Sequence, residues 1–322
     1  MVSLDTVKIE VPIDFLKFYQ KDEFYKNLSL DNEYVYSDDE VFKGHIKFLG
    51  LKRIEIKKIP GVVHIETSGK ILKQKYFEGL TINTLEEYFD NINDTGLIEF
   101  DKRAIDYTRV LRCDVVNNLK VSSDNLTKYF YSLSLCAFNH NYLVSNYEGS
   151  VVFTKQVKSY KRRMIFYDKY KEIQRDREIL KSDAFSKQDI ERFKNVLRCE
   201  QNFTSFKTMR QAFKVQDIKL VDILKSKEKV NYNTFNEITN EKSLFFDNVK
   251  SLREYKKFCY VDRLCKDFNY DFKEIKNFLM LFVSKRQTYK ELKIIKEFVN
   301  KLDKFKKASE QVEEIRELLK AA

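Results

Sequence analysis

The sequence predicts an α+β fold, in which a central antiparallel sheet with flanking helices is followed by a mainly helical C-terminal domain. Two observations predict it. Up to residue 204, short runs that alternate like strands are interrupted by segments with helical spacing. After residue 204, large apolar residues recur at helical spacing. We therefore expect one domain over residues 1–204 and a helical domain over residues 205–322, with a boundary that is soft between 204 and 250.

The strands of the first domain are predicted from alternating or continuous apolar runs. Residues 4–11 alternate and end at Pro12, which cannot donate to a sheet ladder. Between residues 41 and 68, three short runs and the turn Pro60-Gly61 are typical of an antiparallel meander. The remaining strands are expected at residues 108–116, 151–153, 164–167 and 196–203.

Helices are predicted where apolar residues recur every three or four positions. In the first domain they are expected at residues 83–93, from near Ser122, at 168–181 and at 186–194. In the second domain they are expected at residues 206–224, 252–264, 275–283 and 292–302. Residues 251–322 carry 18 basic and 12 acidic residues. The second domain is therefore a candidate for DNA recognition, partner binding or dimerisation.

Composition narrows the class of protein. The 322 residues include 60 Lys and Arg against 49 Asp and Glu, a net charge of +11, which favours a polyanionic partner such as nucleic acid. The alternative explanation of this charge is the compositional bias of an AT-rich genome, which raises the numbers of Lys, Asn, Ile, Phe and Tyr together. The five cysteines are scattered without a CxxC pair, which indicates reduced thiols and no zinc knuckle. No apolar run approaches the roughly 18 residues that cross a bilayer, so we expect a cytoplasmic protein without a membrane partner.

The segment 164–172 is the most informative for function. Its apolar run ends at Tyr167, a charged helix-like segment follows, and Lys161, Arg162 and Arg163 precede it. This arrangement presents a phenol at a strand end among cations, which is what a tyrosine nucleophile attacking a phosphodiester requires. The alternative from the residues alone is an ordinary strand-to-helix junction, since the chain has 19 Tyr and most of them must pack.

Three acidic residues stand inside strand-like runs, where a buried carboxylate is costly unless it is paired or bound to a cation. They are Glu66, Asp114 and Glu200. Oxygen ligands suit Mg²⁺ or Mn²⁺, so these residues are candidate metal ligands. Residues i and i+2 face the same side of a strand, so His64, Arg112 and Arg198 accompany them. The alternative to a metal site is that Arg112 with Asp114, and Arg198 with Glu200, form ion pairs that have only a structural role.

Four motifs resemble, in order and spacing, those of rolling-circle replication initiators, the group formed by the gene II protein of filamentous phages and its plasmid relatives. The motifs are His64-Ile65-Glu66, Arg112-Cys113-Asp114, Tyr167-Asp168-Lys169-Tyr170-Lys171-Glu172 and Arg198-Cys199-Glu200. They are similar to the family's strand glutamate, Arg-x-Asp strand, Tyr-x-Lys-x-x-Glu segment and Arg-x-Glu strand. The resemblance covers residues 4–213. Many relatives carry a His-x-His strand, and its replacement here by His64-Ile65-Glu66 fits the gene II and plasmid branch better.

The resemblance implies the HUH-like endonuclease fold of these initiators and a tyrosine that nicks DNA. Tyr167 would attack the DNA backbone, forming a 5′-phosphotyrosyl intermediate and leaving a free 3′-OH as primer. Lys169 would lie near the phosphate or lower the pKa of the phenol. Glu172 would be a general base or a structural partner of a cation. Tyr170, one helical turn away, is the rival nucleophile.

The resemblance also implies a metal-dependent enzyme and its partners. Mg²⁺ or Mn²⁺ would be held by Glu66, Asp114 and Glu200, with His64 as a further candidate ligand. The cations expected to bind the DNA are Lys161, Arg162, Arg163, Arg112 and Arg198. The expected partner is single-stranded or extruded origin DNA. A host helicase and a second copy of the chain are further candidates.

Three other functions fit some of these features. A plasmid-mobilising relaxase would use the same chemistry on a different substrate. A non-catalytic, sequence-specific DNA-binding protein would keep the basic faces on a degenerate version of the fold and would not need the tyrosine. A nuclease in which water attacks the phosphate would leave no covalent adduct between protein and DNA, so covalent trapping separates it from the initiator.

Overall fold

The structure is a computed structural model that describes residues 2–26, 40–43, 48–123, 125–136, 142–157, 160–239 and 252–322. Its twelve strands in this part of the chain are β1 Leu4–Pro12, β2 Leu16–Tyr19, β3 Tyr25–Lys26, β4 Glu40–Lys43, β5 Leu51–Lys57, β6 Val62–Ser68, β7 Ile98–Phe100, β8 Arg109–Lys120, β9 Tyr142–Tyr147, β10 Ser150–Val157, β11 Tyr160–Asp168 and β12 Val196–Phe203.

The α-helices of the described residues are α1 Leu85–Asn93, α2 Ala104–Tyr107, α3 Thr127–Leu135, α4 Lys169–Ile173, α5 Arg177–Lys181, α6 Lys187–Glu191, α7 Phe206–Phe213, α8 Leu220–Lys225, α9 Val230–Thr239, α10 Leu252–Asp267, α11 Phe272–Met280 and α12 Lys285–Ala321. Short 3₁₀ segments lie at Ile13–Phe15, Lys21–Glu23 and Gly69–Phe77.

Ten strands form one large sheet in the order β3-β4-β5-β6-β1-β8-β12-β11-β10-β9, and β2 pairs with β7 in a small second sheet. Every strand pair described in the large sheet is antiparallel. The central strands β8 and β12 pair over eight residues, from Val196 opposite Lys120 to Phe203 opposite Cys113. The predicted α+β fold with a central antiparallel sheet and flanking helices is confirmed.

The main difference from the predicted elements is a break in the helix expected at 168–181. The side chain of Asp176 accepts hydrogen bonds from the backbone N–H groups of Glu178 and Ile179 and caps a new helix, α5. The chain therefore turns after α4 instead of continuing as one rod. This turn lets α4, α5 and α6 fold back over one end of the sheet, where they pack around Tyr76.

One face of the large sheet is covered by the hydrophobic core. Alternate side chains of β1, β6 and β8, such as Val7, Ile65 and Cys113, pack against α1, α7 and α8. Farther along the sheet, Phe166 and Cys199 pack against α3, α9 and the end of α12. Because strand side chains alternate, the residues between these core positions must point to the opposite face.

That opposite face, called the polar face below, carries most of the chemistry predicted from the sequence. Its members on the six strands from β5 to β11 are Lys8, Glu10, Glu55, His64, Glu66, Arg112, Asp114, Arg163, Tyr167, Arg198, Glu200 and Asn202. At the end where β11 stops, α4–α6 and the segment Gly69–Phe77 cover part of it. Over the rest of the polar face Arg163 is exposed and the side chain of Arg112 is 42% exposed, whereas Asp114 is buried.

The helical C-terminal part is present, but it does not begin as a separate unit. Met209 and Phe213 of α7 lie in the same core as β1 and β8, and Ile315 near the end of α12 packs beneath β11. A second hydrophobic cluster, formed by α10, α11 and the first half of α12, is separate from the sheet cores. The predicted boundary at residue 204 therefore falls within a shared core.

None of the helices in the described ranges is long and apolar enough to cross a membrane.

Candidate active site

Tyr167 lies near the end of β11 on the polar face. The strand ends there because the next residue, Asp168, caps α4: its Oδ1 accepts a hydrogen bond of 3.0 Å from the backbone N–H of Lys171. The backbone of Tyr167 pairs with β10 on one side, opposite Ser150, and with β12 on the other side, opposite Arg198. The phenol is thus fixed by a strand end and a helix start, as the sequence predicts.

The Tyr167 hydroxyl donates a hydrogen bond of 3.1 Å to Oε2 of Glu200 on the neighbouring strand. Burial raises the pKa of Tyr167 well above its ordinary value; Arg198 opposes this rise and Glu200 adds to it. The phenol is therefore protonated at neutral pH and needs a base in order to attack. Burial, together with the nearby carboxylates of Asp5 and Asp114, raises the pKa of Glu200 to about 7, the value that suits a general base at neutral pH.

Arg198 lies beneath this pair, with its side chain only 1% exposed. Its guanidinium forms an ion pair of 3.3 Å with Asp5, and its Nε donates to Asn118 at 2.8 Å. A side chain buried to this extent cannot contact the DNA backbone directly, so the predicted DNA-binding role of Arg198 does not fit its position. Arg198 instead supplies positive charge close to the Tyr167 phenol.

Lys169 is also buried, with its side chain 1% exposed. Its Nζ donates to the Tyr76 hydroxyl at 2.7 Å, forms an ion pair of 2.6 Å with Glu172, and lies 5.7 Å from the centre of the Tyr167 ring. Burial lowers the pKa of Lys169, as does Arg198, against the opposing effect of Asp5 and Glu172. The structure therefore places Lys169 beside the predicted nucleophile. Glu172 contacts the Lys169 ammonium, which is the structural-partner role predicted for it.

Tyr170 points away from Tyr167. Its hydroxyl donates to Glu191 of α6 at 2.7 Å, and its ring packs on the cluster around Ile173 and Phe193. The two tyrosines, although one turn apart in sequence, contact different surroundings. The Tyr167 hydroxyl therefore contacts Glu200, whereas the Tyr170 hydroxyl contacts Glu191.

The predicted metal ligands come together only in part, since Asp114 lies near Glu200 on the neighbouring strand but Glu66 does not. Glu66 on β6 and Glu200 on β12 are separated by β1 and β8, that is, by three strand spacings or roughly 14 Å. Arg112 lies between two of the acids, 3.8 Å from Glu66 and 3.7 Å from Asp114. Asn202 donates a further hydrogen bond to Asp114. The positive charge near Glu66 and Asp114 is thus supplied by arginine, the alternative that the sequence left open.

His64 is held by two carboxylates. Its Nε2 lies 3.2 Å from Glu10 and its Nδ1 lies 3.4 Å from Glu55. The hydrogen bond with His64 lowers the pKa of Glu55 to about 2. Among the described residues, no group of three or more His, Cys, Asp or Glu side chains is placed to hold a metal ion. The predicted set of Glu66, Asp114, Glu200 and His64 therefore does not fit one metal centre.

The predicted DNA-binding cations are divided between the two faces. Arg163 is exposed on the polar face and makes no side-chain hydrogen bond or ion pair with the described residues, and Arg112 is 42% exposed there. Arg162 points to the opposite face, where it forms an ion pair of 3.3 Å with Glu237 of α9. The backbone of Lys161 lies in β11, and its side chain is outside the described residues. Arg163 and Arg112 are thus the predicted cations with side chains exposed on the polar face among the described residues.

Sequence reasoning missed Asp5 and Tyr76. Asp5 is the counter-ion of Arg198, and the ring of Tyr76 lies 5.0 Å from the ammonium of Lys169 and 5.5 Å from the guanidinium of Arg198. A signal for Asp5 was present, because it is an acidic residue inside the alternating run of β1, like the three acids that were singled out. No sequence signal marked Tyr76, since it stands in a 3₁₀ segment far from the motifs.

The Asp5–Arg198 pair predicts a large stability effect. Replacing Asp5 by Ala leaves a buried guanidinium without its counter-ion, so the free energy of unfolding should fall by about 3–5 kcal/mol. Urea denaturation measures this directly. The matched control is Glu99→Gln, which removes an ion pair with Lys17 in which both side chains are 53% exposed, and it should change stability little. Equal effects of the two substitutions would contradict a structural role for the buried pair.

Comparison with known proteins gives a family match for part of the chain. Residues 80–230 match the family model for the N-terminal part of the gene II replication-associated protein. A solved structure to which the chain is similar is the rolling-circle replication initiator protein from Geobacillus stearothermophilus, with 13% identity over 63% of this chain and 74% of that chain and a TM-score of 0.28. No curated protein matches the chain. Over residues 80–230, somewhat less than half of the chain, the protein is therefore similar to the gene II replication-associated protein family.

Proposed function

We propose that this protein starts rolling-circle replication by nicking single-stranded or extruded origin DNA with Tyr167. The observation that carries the proposal is the hydrogen bond between the Tyr167 hydroxyl and Glu200, a carboxylate with a pKa of about 7. A tyrosine whose own pKa is raised far above neutral becomes a nucleophile only with such a base within reach. The match to a replication-associated family supports DNA as the substrate.

The proposed reaction is a single displacement at phosphorus. The Tyr167 Oη attacks the scissile phosphate, and its proton passes to the Glu200 carboxylate. The bond between phosphorus and the 3′ oxygen breaks, and that oxygen takes a proton from water. The products are a 5′-phosphotyrosyl link and a free 3′-OH primer. The positive charges of Lys169 and Arg198, which are buried beside the phenol and do not contact the DNA, would stabilise the charge that develops on the phosphate.

The polar face offers a path for the DNA strand towards Tyr167. Arg163 stands on the same strand as Tyr167, four residues earlier, and Arg112 and Lys8 lie opposite each other on β8 and β1. Their positive charges can follow the phosphates of a strand that crosses the sheet. Affinity carried by such contacts should fall steeply as the salt concentration rises.

The helical unit of α10, α11 and the first half of α12 is proposed as the surface for further partners. Leu281 and Phe282 are 76% and 71% exposed at the turn that follows α11. Apolar side chains exposed side by side are typical of protein contacts. A helicase or a second copy of this chain would use such a surface.

The need for Mg²⁺ or Mn²⁺ that the resemblance implies stays a prediction, and no step above passes through a metal ion. Adduct formation after treatment with EDTA, with and without added Mn²⁺, tests this requirement separately. Loss of the adduct in EDTA and its recovery in Mn²⁺ are the expected results. Full activity in EDTA would contradict the predicted metal requirement and would agree with the separation of Glu66 from Glu200.

The test of the proposed function is covalent trapping. The protein is incubated with pools of end-labelled single-stranded DNA, and the mixture is resolved on a denaturing gel. We expect a slow-migrating adduct that a protease removes, and mass spectrometry should locate the nucleotide on the peptide containing Tyr167. Cleavage without an adduct would indicate attack by water, and DNA binding without cleavage would indicate a non-catalytic protein.

A further inference from the structure

A cavity of about 510 Å³ opens next to the end of β11. Its walls come from the start of α3, the turn between β9 and β10, and the start of α4. Its size lies within the range of roughly 300–1,000 Å³ that is usual for small-ligand pockets. The cavity plays no part in the reaction described above.

The side chains around the cavity suit a flat heterocycle. Tyr131 and Tyr147 both line it and keep 49% and 62% of their surface exposed. Exposed aromatic rings are the surfaces on which unpaired bases stack, since every base has a π face. Asn125 and Asn146 contribute amide groups that can donate to and accept from the edge of a base.

The charges around the cavity argue against a phosphate as its occupant. Glu148 and Asp168 bring two carboxylates, and Lys171 brings one ammonium that already lies 3.8 Å from Asp168. A net negative lining repels an anion but tolerates a neutral ring. The aromatic and amide groups therefore select a base and not the backbone of a nucleic acid.

The cavity is continuous with the candidate active site through the backbone. Asp168 directly follows Tyr167, and Ser150 is the partner of Tyr167 across the ladder; both line the cavity. The backbone N–H of Asp168 also donates to Gly149 at 3.3 Å, which fixes the turn against the strand end. A DNA strand held at Tyr167 would reach this cavity by passing round the end of β11, since the cavity lies between that strand end, the turn from β9 to β10 and α3.

We propose that this cavity binds one unpaired base of the DNA strand that Tyr167 cleaves, with Tyr147 as its stacking platform. The proposal rests on the proposed function and deepens it. It adds a base-binding subsite that holds a nucleotide next to the scissile phosphate in a fixed position. It also explains why two tyrosines are exposed around one cavity.

The test measures binding without cleavage, in the full chain carrying Tyr167→Phe. The probe is a fluorescein-labelled oligothymidylate of about 12 nucleotides, followed by anisotropy, and the reference probe is an abasic strand of the same length. Adding Tyr147→Ala should weaken binding of the oligothymidylate about 5- to 100-fold. Binding of the abasic strand should not change, because it has no base to stack.

Three further variants sharpen the result. Tyr147→Phe keeps the ring and should bind like the parent, whereas Tyr131→Ala should weaken binding of the oligothymidylate in the same way as Tyr147→Ala. Tyr107→Ala is the matched control, since Tyr107 is 53% exposed but lies outside the cavity. Thermal melting of each variant establishes that it is folded.

Two results would overturn the base-binding subsite. One is unchanged oligothymidylate binding in the folded Tyr147→Ala variant, and the other is an equal loss for the thymidylate and abasic strands, which would indicate a backbone contact. The proposed function is tested independently, because covalent trapping uses the chain with Tyr167 intact. A base-dependent effect of Tyr147 without any adduct would support the subsite and reject the nicking reaction.

Discussion

A Tyr167→Phe variant should form no covalent adduct with single-stranded DNA, and its nicking rate should fall by about 10⁴-fold or more. The substitution removes only the attacking oxygen. The ring stays where it packs, 5.7 Å from the Lys169 ammonium, and the ladder on both sides of β11 is untouched. The measurement is the amount of protein–DNA adduct on a denaturing gel, with binding of the same DNA measured in parallel.

The matched control is Tyr170→Phe. It removes a hydroxyl from the same segment, but this hydroxyl donates to Glu191 on α6 and does not contact Glu200. Adduct formation should stay within a few fold of the wild type. An adduct that persists in Tyr167→Phe and disappears in Tyr170→Phe would assign the nucleophile to Tyr170. Loss of DNA binding in Tyr167→Phe would instead indicate that the substitution disturbs the polar face.

Much of the fold could be predicted because apolar and polar side chains alternate so regularly along its strands. β1, β6 and β12 were found within one or two residues, since each has an apolar face on the core. The single helix expected at 168–181 was wrong, because the capping side chain of Asp176 outweighs the helical spacing on either side. The strand β9 was missed, since it pairs only with β10 at the edge of the sheet and alternates weakly.

The candidate site was predictable in its residue types but not in their contacts. Tyr167 and Glu200 do lie close together because β11 and β12 are neighbours in the sheet, and Lys169 lies beside Tyr167 because α4 begins directly after β11. Strand order is a long-range property that no local pattern contains. The insertion of β1 between β6 and β8 moves Glu66 away from Glu200 and brings Asp5 into the site. The sequence pattern also does not show that the side chain of Arg198 is buried, so Arg198 could not be recognised as the counter-ion of Asp5.

A Glu200→Gln variant should lower the nicking rate by about 100-fold or more at pH 8. The amide keeps the size of the side chain but cannot take the proton of Tyr167, which otherwise donates to Oε2 at 3.1 Å. In the wild type the rate should rise as the pH passes through about 7, because the carboxylate becomes ionised there. In the variant this rise should disappear. Single-turnover adduct formation between pH 5.5 and 8.5 measures both effects.

The same substitution, Glu200→Gln, should raise the stability of the protein at pH 8 although it lowers the nicking rate. The pKa of Glu200 is raised from 4.5 to about 7 in the folded protein, so the folded state binds its proton more tightly than the unfolded state does. The contribution of Glu200 to the free energy of unfolding therefore decreases as the pH rises from about 4.5 to 7. Glutamine has no proton to lose, so the melting temperature of the variant should exceed that of the wild type at pH 8 and approach it at pH 5.

Together the two measurements separate a general base from a structural carboxylate. A purely structural Glu200 would change stability with pH but would leave the pH dependence of adduct formation unaltered in the glutamine variant. Glu66→Gln is the matched control, since Glu66 lies on β6 beside Arg112 and does not contact Tyr167. It should keep the rise in rate near pH 7 whatever its effect on the maximal rate. A rise retained in Glu200→Gln and lost in Glu66→Gln would place the base at the other side of the sheet and contradict the role proposed for Glu200.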